Sequence, residues 1–457
     1  MKVLLVQPPS PPNIIGEGIA FLAEPLALEI VAAGIPHHEV KLLDMRIEPN
    51  LKQELESFQP DVVGTTSYTP GIYQAQKVLQ EVKAYNPEIL TVIGGHHATV
   101  MPEDFNKDYI DAIVIGEGEV TFKDLVDAYE NKTDLNKVDG IALSQNGNLI
   151  FNQPRTPIEN LDEMPFPARH LVEEYRKEYF RQTWRPVASL ITSQGCPYRC
   201  NFCALWKVAG GKYRTHSPES VVDEIVSVDG RYIEFADDNT LQNVKRAERI
   251  YELIKERGIQ KLYKMFARSD TVAKHPKLIE KWKEIGLELI LIGFESFRDS
   301  ELKEMNKANT VATNNEAIRI LHKNDVEIAA YFIINPNYEK EDFDALAEYV
   351  EKMNLTQPFF TVLTPFPGTD LFQEKFGELM TRNYELFDLA HSVLPTKLPM
   401  KEFYECLADL YRRAYSPKHI PEKISSEKEP ISVSAFAQGR KVMLQMMTLL
   451  SEAHTHY

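Results

Sequence analysis

Short apolar runs rich in β-branched residues take turns with helical patterns along most of this 457-residue chain, in two separate series. In the first, the strand candidates are residues 3–6, 39–43, 61–65, 90–93 and 112–115. Apolar residues at helical spacing fill 22–33, 72–85 and 121–130 between them. Short strands that alternate with helices predict a doubly wound, Rossmann-like parallel α/β sheet. In the second series, strands are expected at 187–192, 232–236, 261–267, 288–293, 326–334 and 359–363. Helices are expected at 218–228, 244–257, 276–285, 313–323 and 341–352. Six β/α units predict a partial (β/α)6 barrel of TIM type. Both architectures collect ligands at the carboxyl ends of their strands.

At 457 residues and 52.3 kDa the chain is long enough for about three domains. Hydrophobic residues at 43% and charged residues at 26% are the balance of a globular protein. Lys+Arg is 51 and Asp+Glu 67, so the net charge is 51 − 67 = −16, which argues against a general binder of nucleic-acid backbone. No apolar stretch approaches the ~20 residues of a membrane span. The first residues read as a strand running into Pro8 and Pro9 and not as a signal peptide, so a cytoplasmic location is expected.

The loops after the first-series strands are unusual. They carry Pro8-Pro9, Ser67-Tyr68, Gly94-Gly95-His96-His97 and Gly116-Glu117-Gly118-Glu119. Glycine lets backbone approach a large ligand, although a Gly-Gly after a strand is more often only a turn. No G-x-G-x-x-G follows the first strand, which argues against a nicotinamide cofactor.

Only four cysteines occur, and three fall within eight residues: Cys196, Cys200 and Cys203. Zinc usually takes four ligands in two pairs, and no second pair exists. Three thiolates at C-x3-C-x2-C spacing suit a [4Fe–4S] cluster with one iron left open. Cys406 reads as a core thiol on an amphipathic helix. Polar residues follow the barrel strands: Asp237-Asp238-Asn239, Arg268-Ser269-Asp270, Glu295-Ser296 and Asn335-Pro336-Asn337. Such residues can also cap the next helix, the reading preferred for Asp270.

These motifs resemble the cobalamin (B12)-binding radical S-adenosylmethionine (SAM) enzymes. The resemblance implies a cobalamin-binding domain at 1–150, a Pro-rich linker at 151–185, the radical SAM barrel at 186–383 and a small helical region at 384–457. It implies that Cys196, Cys200 and Cys203 hold the [4Fe–4S] cluster and that SAM chelates its open iron. Phe202, Asp237 or Asp238, Arg268 and Glu295 would then bind SAM. Cobalamin would be contacted by Pro8, Pro9, Asp44, Arg46, Ser67, Tyr68, Gly94, Gly95, His96, Gly116, Glu117, Gly118 and Glu119. No residue is assigned to the catalytic step. The chain departs from the family's Asp-x-His-x-x-Gly pattern at Asp44-Met45-Arg46: Arg46 stands where a His would ligate cobalt, and Pro49 where the Gly stands. Tyr68, His96 and His97 are the rival residues near the corrin. A second departure is Asn335-Pro336-Asn337 in place of Gly-x-Pro.

Residues 359–369, 381–388 and 393–399, with Cys203-Ala-Leu-Trp206-Lys207, look most like the hopanoid C-3 methylase branch. That implies a class B methyltransferase acting on an unactivated carbon, with a polycyclic or isoprenoid lipid as the substrate class. One SAM would supply the methyl through cobalamin and a second the 5′-deoxyadenosyl radical. A reducing donor such as flavodoxin or ferredoxin is implied, and peripheral membrane contact is left open. The alternatives are cyclisation, ring rearrangement or oxidation with the same cofactors, or a sensing protein with a structural cluster. Beyond residue 384 an aromatic-rich helical region, a polar loop at 418–430 and a Met-rich helix at 442–450 are expected, with His454 and His456 in a disordered end.

Overall fold

A computed structural model of the protein describes residues 1–456 apart from 13, 16, 19–20, 146, 182–183 and 416–446. The loop expected at 418–430, and Met443 and Met446, lie outside the described residues.

The first sheet has seven strands: β1 (Lys2–Gln7), β2 (Glu39–Asp44), β3 (Val62–Thr66), β4 (Leu90–Gly94), β5 (Ala112–Val114), β6 (Ile141–Gln145) and β7 (Asn148–Phe151). Their order is β2-β1-β3-β4-β5-β6-β7. The first five are parallel, as the alternation predicts. The sheet is mixed because β6 and β7 run antiparallel as a hairpin added to its edge. Gly147 turns that hairpin with φ +78°. The Asn-Gly pair at 146–147 is a sequence signal for such a turn.

Helices cover both faces of the parallel part and divide its core in two. Leu28 and Ala32, on Leu26–Ala33, join one layer; Val78, Leu79 and Val82, on Ile72–Tyr85, join the other. The first helix begins at Leu26 and not at 22, since Phe21–Leu22 pairs as a short strand with Phe180–Arg181. An unforeseen helix, Leu51–Phe58, buries Leu51, Leu55 and Phe58 along one stripe.

The second sheet is β8 (Val187–Leu190), β9 (Tyr232–Phe235), β10 (Leu262–Phe266), β11 (Leu287–Glu295), β12 (Glu327–Ile334) and β13 (Gln357–Val362), all parallel and in chain order. Alternate residues such as Ile233, Phe235, Tyr263, Met265, Ile290, Ile292 and Phe332 pack outward against the helices. The other set holds Ser189, Glu234, Lys264, Leu289, Leu291, Ala329, Tyr331 and Phe359. With six strands the barrel stays open, leaving β8 and β13 as edges.

The helix Met400–Ala414 packs Phe403, Tyr404, Leu407, Leu410 and Tyr411 into the barrel core, with Cys406 half-buried beside it. It starts just after Pro399, and the stretch from 387 to 399 is irregular, so only the second half of the expected helical region is one helix. The expectation for the chain end is corrected. Residues Ala453–His456 form a 3-10 turn, and His456 Nδ1 lies 2.7 Å from His391 Nε2. Buried Asp388 holds the other nitrogen of His391 at 3.0 Å.

Candidate active site

The cysteine loop is shaped from the neighbouring strand. Beyond β8, Thr192 N and Oγ1 donate to Asp237 at 2.5 and 2.8 Å, and Ser193 N donates to it at 2.7 Å. Gly195, at φ +85°, donates its N–H to Asp238 at 2.9 Å. Asp237 is buried, with one oxygen on the backbone N–H groups of Thr192 and Ser193 and the other on the Thr192 hydroxyl, so it shapes the loop. Asp238 accepts one such bond; burial, and then the charge of Asp237, push its carboxyl up to about 6.

Cys200 is buried and Cys196 and Cys203 are half-buried. Burial raises all three thiols, Cys203 to about 12, and each sulfur is pushed further by a neighbouring cysteine or acid. Lys307 and Arg268 pull Cys200 the other way. Three thiols that repel one another as anions, beside two cations, suit a group that binds thiolates and disperses their charge. Among the described residues no three Cys, His, Asp or Glu crowd round one ion-sized point. A cluster, which takes one thiolate per iron, requires no such convergence.

Tyr198, inside the cysteine loop, is a residue that motif reading passed over. Its ring lies 3.4 Å below the Arg268 guanidinium and its hydroxyl donates to Asp270 at 3.0 Å. Arg268 also donates to Asp270 at 2.9 Å and to the Lys307 carbonyl at 2.9 Å. Asp270 therefore does more than begin a helix; it holds the loop. The clue in the sequence is Arg and Asp two apart after a strand, with a Tyr between the first two cysteines.

Glu295 sits at φ +64° with its carboxylate on Lys307 Nζ at 2.6 Å. The loop is tied to the same segment, for Asn306 donates to the Arg199 carbonyl at 2.7 Å. Arg268 and Glu295 thus stand beside the cysteine loop, engaged with loop 305–308. Phe202 is half-buried on the cysteine loop itself. At 335–338 the altered motif is a turn, bonded through the Pro336 carbonyl to Lys397 N.

Across the cleft stand the strand ends of the first sheet. Gly95, at φ +97°, passes so close to Ser67 that a Cβ there would lie 3.0 Å from its N and O. This close pass joins the Ser67-Tyr68 loop to the start of helix His96–Val100. Tyr68 and His96 stack with centroids 6.2 Å apart. The protein around the cleft, and then Asp238, raise the Tyr68 hydroxyl, although the side chain is 73% exposed. Burial, and then His97, lower His96.

His97 is excluded as a ligand: Thr69 holds its Nδ1 at 3.0 Å and Asp104 its Nε2 at 2.9 Å. Pro8 is buried and Pro9 half-buried after β1. Asp44 and Arg46 are spent on each other, at 2.9 and 2.6 Å. Glu117 is likewise spent, on Arg214 and, at 3.0 Å, on Ile158 N. These carboxylates and this guanidinium bind protein. Burial raises Glu119, while Gly116, at φ +82°, leaves open space where a Cβ would stand. Gly94, by contrast, is backed by Val114, and Gly118 by Val31.

Helix His96–Val100 of the first domain meets the barrel side at two places. Helix Leu205–Val208, just after Cys203, packs on helix His96–Val100. The loop after β13 also rests on that helix, where a Cβ on Gly368 would be 2.8 Å from Val100. Strand ends of one sheet therefore face the cysteine loop of the other. The open space at Gly116 and the exposed Tyr68, opposite the three thiols, fit a corrin beside an iron–sulfur cluster.

Residues 12–126 match the B12 binding domain family and residues 190–350 the Radical SAM superfamily. The hopanoid C-3 methylase of Methylococcus capsulatus is 30% identical over 433 residues, covering 92% of this chain and 81% of that protein. The anaerobic magnesium-protoporphyrin IX monomethyl ester cyclase of Rubrivivax gelatinosus is 31% identical, over 81% of this chain and 68% of its own. The solved structure of the cobalamin-dependent SAM radical enzyme OxsB with aqua-cobalamin shares the fold: TM-score 0.73 at 17% identity, covering 98% of this chain and 72% of that one. The chain belongs to the cobalamin-dependent radical SAM methyltransferases, and its cofactors are a [4Fe–4S] cluster, S-adenosylmethionine and cobalamin.

Proposed function

We propose that this enzyme methylates an unactivated carbon of a polycyclic or isoprenoid lipid. The observation that carries this reading is the juxtaposition of the Tyr68–His96 pair, at the strand ends of the first sheet, with Asp238 beside the cysteine loop. A substrate lying between them would meet both reagents at once, which is where proximity contributes most. When bound, the cofactors supply reductive cleavage of SAM and a transferable methyl group. Cys196, Cys200 and Cys203 would hold the cluster. Asp238, which gives only one oxygen to Gly195, would take the SAM amino group, and Phe202 would lie along the nucleoside. Arg268 and Glu295 would place the rest of SAM from the far side of the loop. Tyr68, His96, Gly95 and Gly116 would bound the corrin. We place the corrin domain at 1–150, the linker at 151–185, the barrel at 186–383 and the helical region at 384–457.

The lipid class is supported by similarity to the hopanoid C-3 methylase, and by the apolar set Leu289, Leu291, Ala329, Phe266, Tyr331 and Phe359 on the barrel strands. No helix among the described residues is long and apolar enough to cross a membrane. A reductant such as flavodoxin or ferredoxin would supply electrons. A second reading is ring closure without methyl transfer, favoured by the likeness to a cyclase. Anaerobically reconstituted enzyme, given methyl-deuterated SAM and a hopanoid, should yield a product carrying the labelled methyl. 5′-Deoxyadenosine formed without labelled product would overturn the methylation reading. Cys200→Ala should abolish both.

A further inference from the structure

Side chains from outside the barrel close its first open edge. Among the described residues no strand lies beyond Ser189 in β8: its N–H donates to Glu24, and its carbonyl accepts from Arg169 at 2.7 Å. The Glu24 carboxylate is fully buried and also accepts from Arg169 at 2.8 Å and Arg176 at 2.5 Å. On the other side, the carbonyl of neighbouring Ala23 accepts from Arg46 at 2.8 Å. Arg46, where the B12 pattern has its histidine, thus holds the residue beside Glu24. Beyond Ser189 the chain is pinned at Thr192, Ser193 and Gly195 before it reaches Cys196.

We infer that Glu24 is a positioning residue: through Ser189 it sets the register between the corrin-bearing sheet and the cluster loop, with Arg46 as its anchor in the first domain. The inference rests on the two cofactors of the family and not on the substrate. A misplacement of about 1 Å far from the reacting atoms costs on the order of 100-fold in rate. Loss of the clamp should therefore harm the step that needs both domains and spare the one that needs the barrel alone.

The test compares wild type, Glu24→Gln and, as a control at the opposite edge, Tyr411→Phe, each reconstituted with cluster and cobalamin. Glu24→Gln keeps the shape and one acceptor for Ser189 N–H but removes the charge that holds two arginines. Three quantities are read without any organic substrate: cluster and corrin content by absorbance, 5′-deoxyadenosine formed from SAM under strong reductant, and methylation of the corrin by SAM. Hydrogen exchange of peptides spanning 186–195 is read on the apoprotein.

Glu24→Gln should keep cofactor content and 5′-deoxyadenosine formation, lose corrin methylation by on the order of 100-fold, and exchange faster at 186–195. Tyr411→Phe should keep cofactor content, 5′-deoxyadenosine formation and corrin methylation, with unchanged exchange at 186–195. Unchanged methylation with unchanged exchange overturns the inference. So does parallel loss of 5′-deoxyadenosine, which reports a damaged cluster site. Were the wild type itself not to methylate its corrin, the methyltransfer reading would fail and the exchange data would still judge the clamp. If Glu24→Gln does not fold, Arg46→Lys breaks the same link from the other end, with the same outcomes deciding.

Discussion

The open barrel has two edges, and they are closed in opposite ways. At β8, Ser189 gives its N–H to Glu24 and its carbonyl to Arg169, ions brought from the first domain and the segment after it. At β13, Tyr411 uses one hydroxyl for both backbone groups of Phe360, each at 3.0 Å, and Tyr415 donates to the Pro358 carbonyl at 2.8 Å. An unpaired strand edge must be satisfied somehow. A neutral hydroxyl does it at little desolvation cost. Buried ions do it at high cost, and only with every partner in place. The charged edge is also the one that links the barrel to the corrin domain, so the costlier device sits where two bodies must be held in register.

Arg169 is the cation on which the charged edge depends. It reaches Glu24 and Glu224 at 2.8 Å each and lies 4.0 Å from Glu29, all buried. Arg169→Met should leave carboxylates without their counter-charge and cost about 3–5 kcal/mol, the range for breaking a buried pair from one side. Calorimetry of the apoprotein should show a large fall in Tm. A change within error would mean that the ions at this edge are dispensable.

Acidity separates the edges next. Glu29 is buried with neither carboxylate oxygen hydrogen-bonded; burial first, and then Glu24, raise its pKa from 4.5 to about 8. The folded protein therefore binds a proton that the unfolded chain has released. Stability from this group is full below pH 4.5 and is lost as pH rises through about 8. Glu29→Gln, neutral at every pH, should flatten that decline. The wild-type-minus-variant difference in chemical-denaturation midpoint across this window measures it. A difference independent of pH would show that Glu29 is ionised throughout. At the tyrosine edge, burial raises the Tyr411 and Tyr415 hydroxyls further above that window.

The same contrast explains what could be read from the residues. Barrel strands were legible because each is a short apolar run, as in Leu287–Glu295, where residues 289–292 are apolar on both faces. The cluster site was legible because Cys196, Cys200 and Cys203 lie on one loop, where spacing is geometry. Glu24 and Ser189 are 165 positions apart, and Tyr411 and Phe360 are 51 apart; no local pattern announces either pairing. The roles of Arg46 and Glu117 were obscured for a similar reason. Position after a strand end suggests a ligand contact, whereas partners that decide the matter, Ala23 and Arg214, come from elsewhere. His97 shows it within one loop, since Thr69 and Asp104 use both of its nitrogens.

The smallest effect belongs to the neutral edge. Tyr411→Phe keeps the ring, which packs edge-on against Phe360 with centroids 4.9 Å apart, and removes only the hydroxyl. Phe360 N–H and C=O are then both left without a partner in the core. Mutational losses cluster at about 0.5–1.5 kcal/mol per hydrogen bond, so losing these two should cost about 1–3 kcal/mol, below the loss for Arg169→Met. It should also be flat in pH, because no ionisable partner faces the hydroxyl except tyrosines. Denaturant unfolding of apoprotein at two pH values across the Glu29 window tests both statements. A loss equal to that of Arg169→Met would show that the two edges matter alike, and that charge at β8 adds nothing beyond satisfying Ser189.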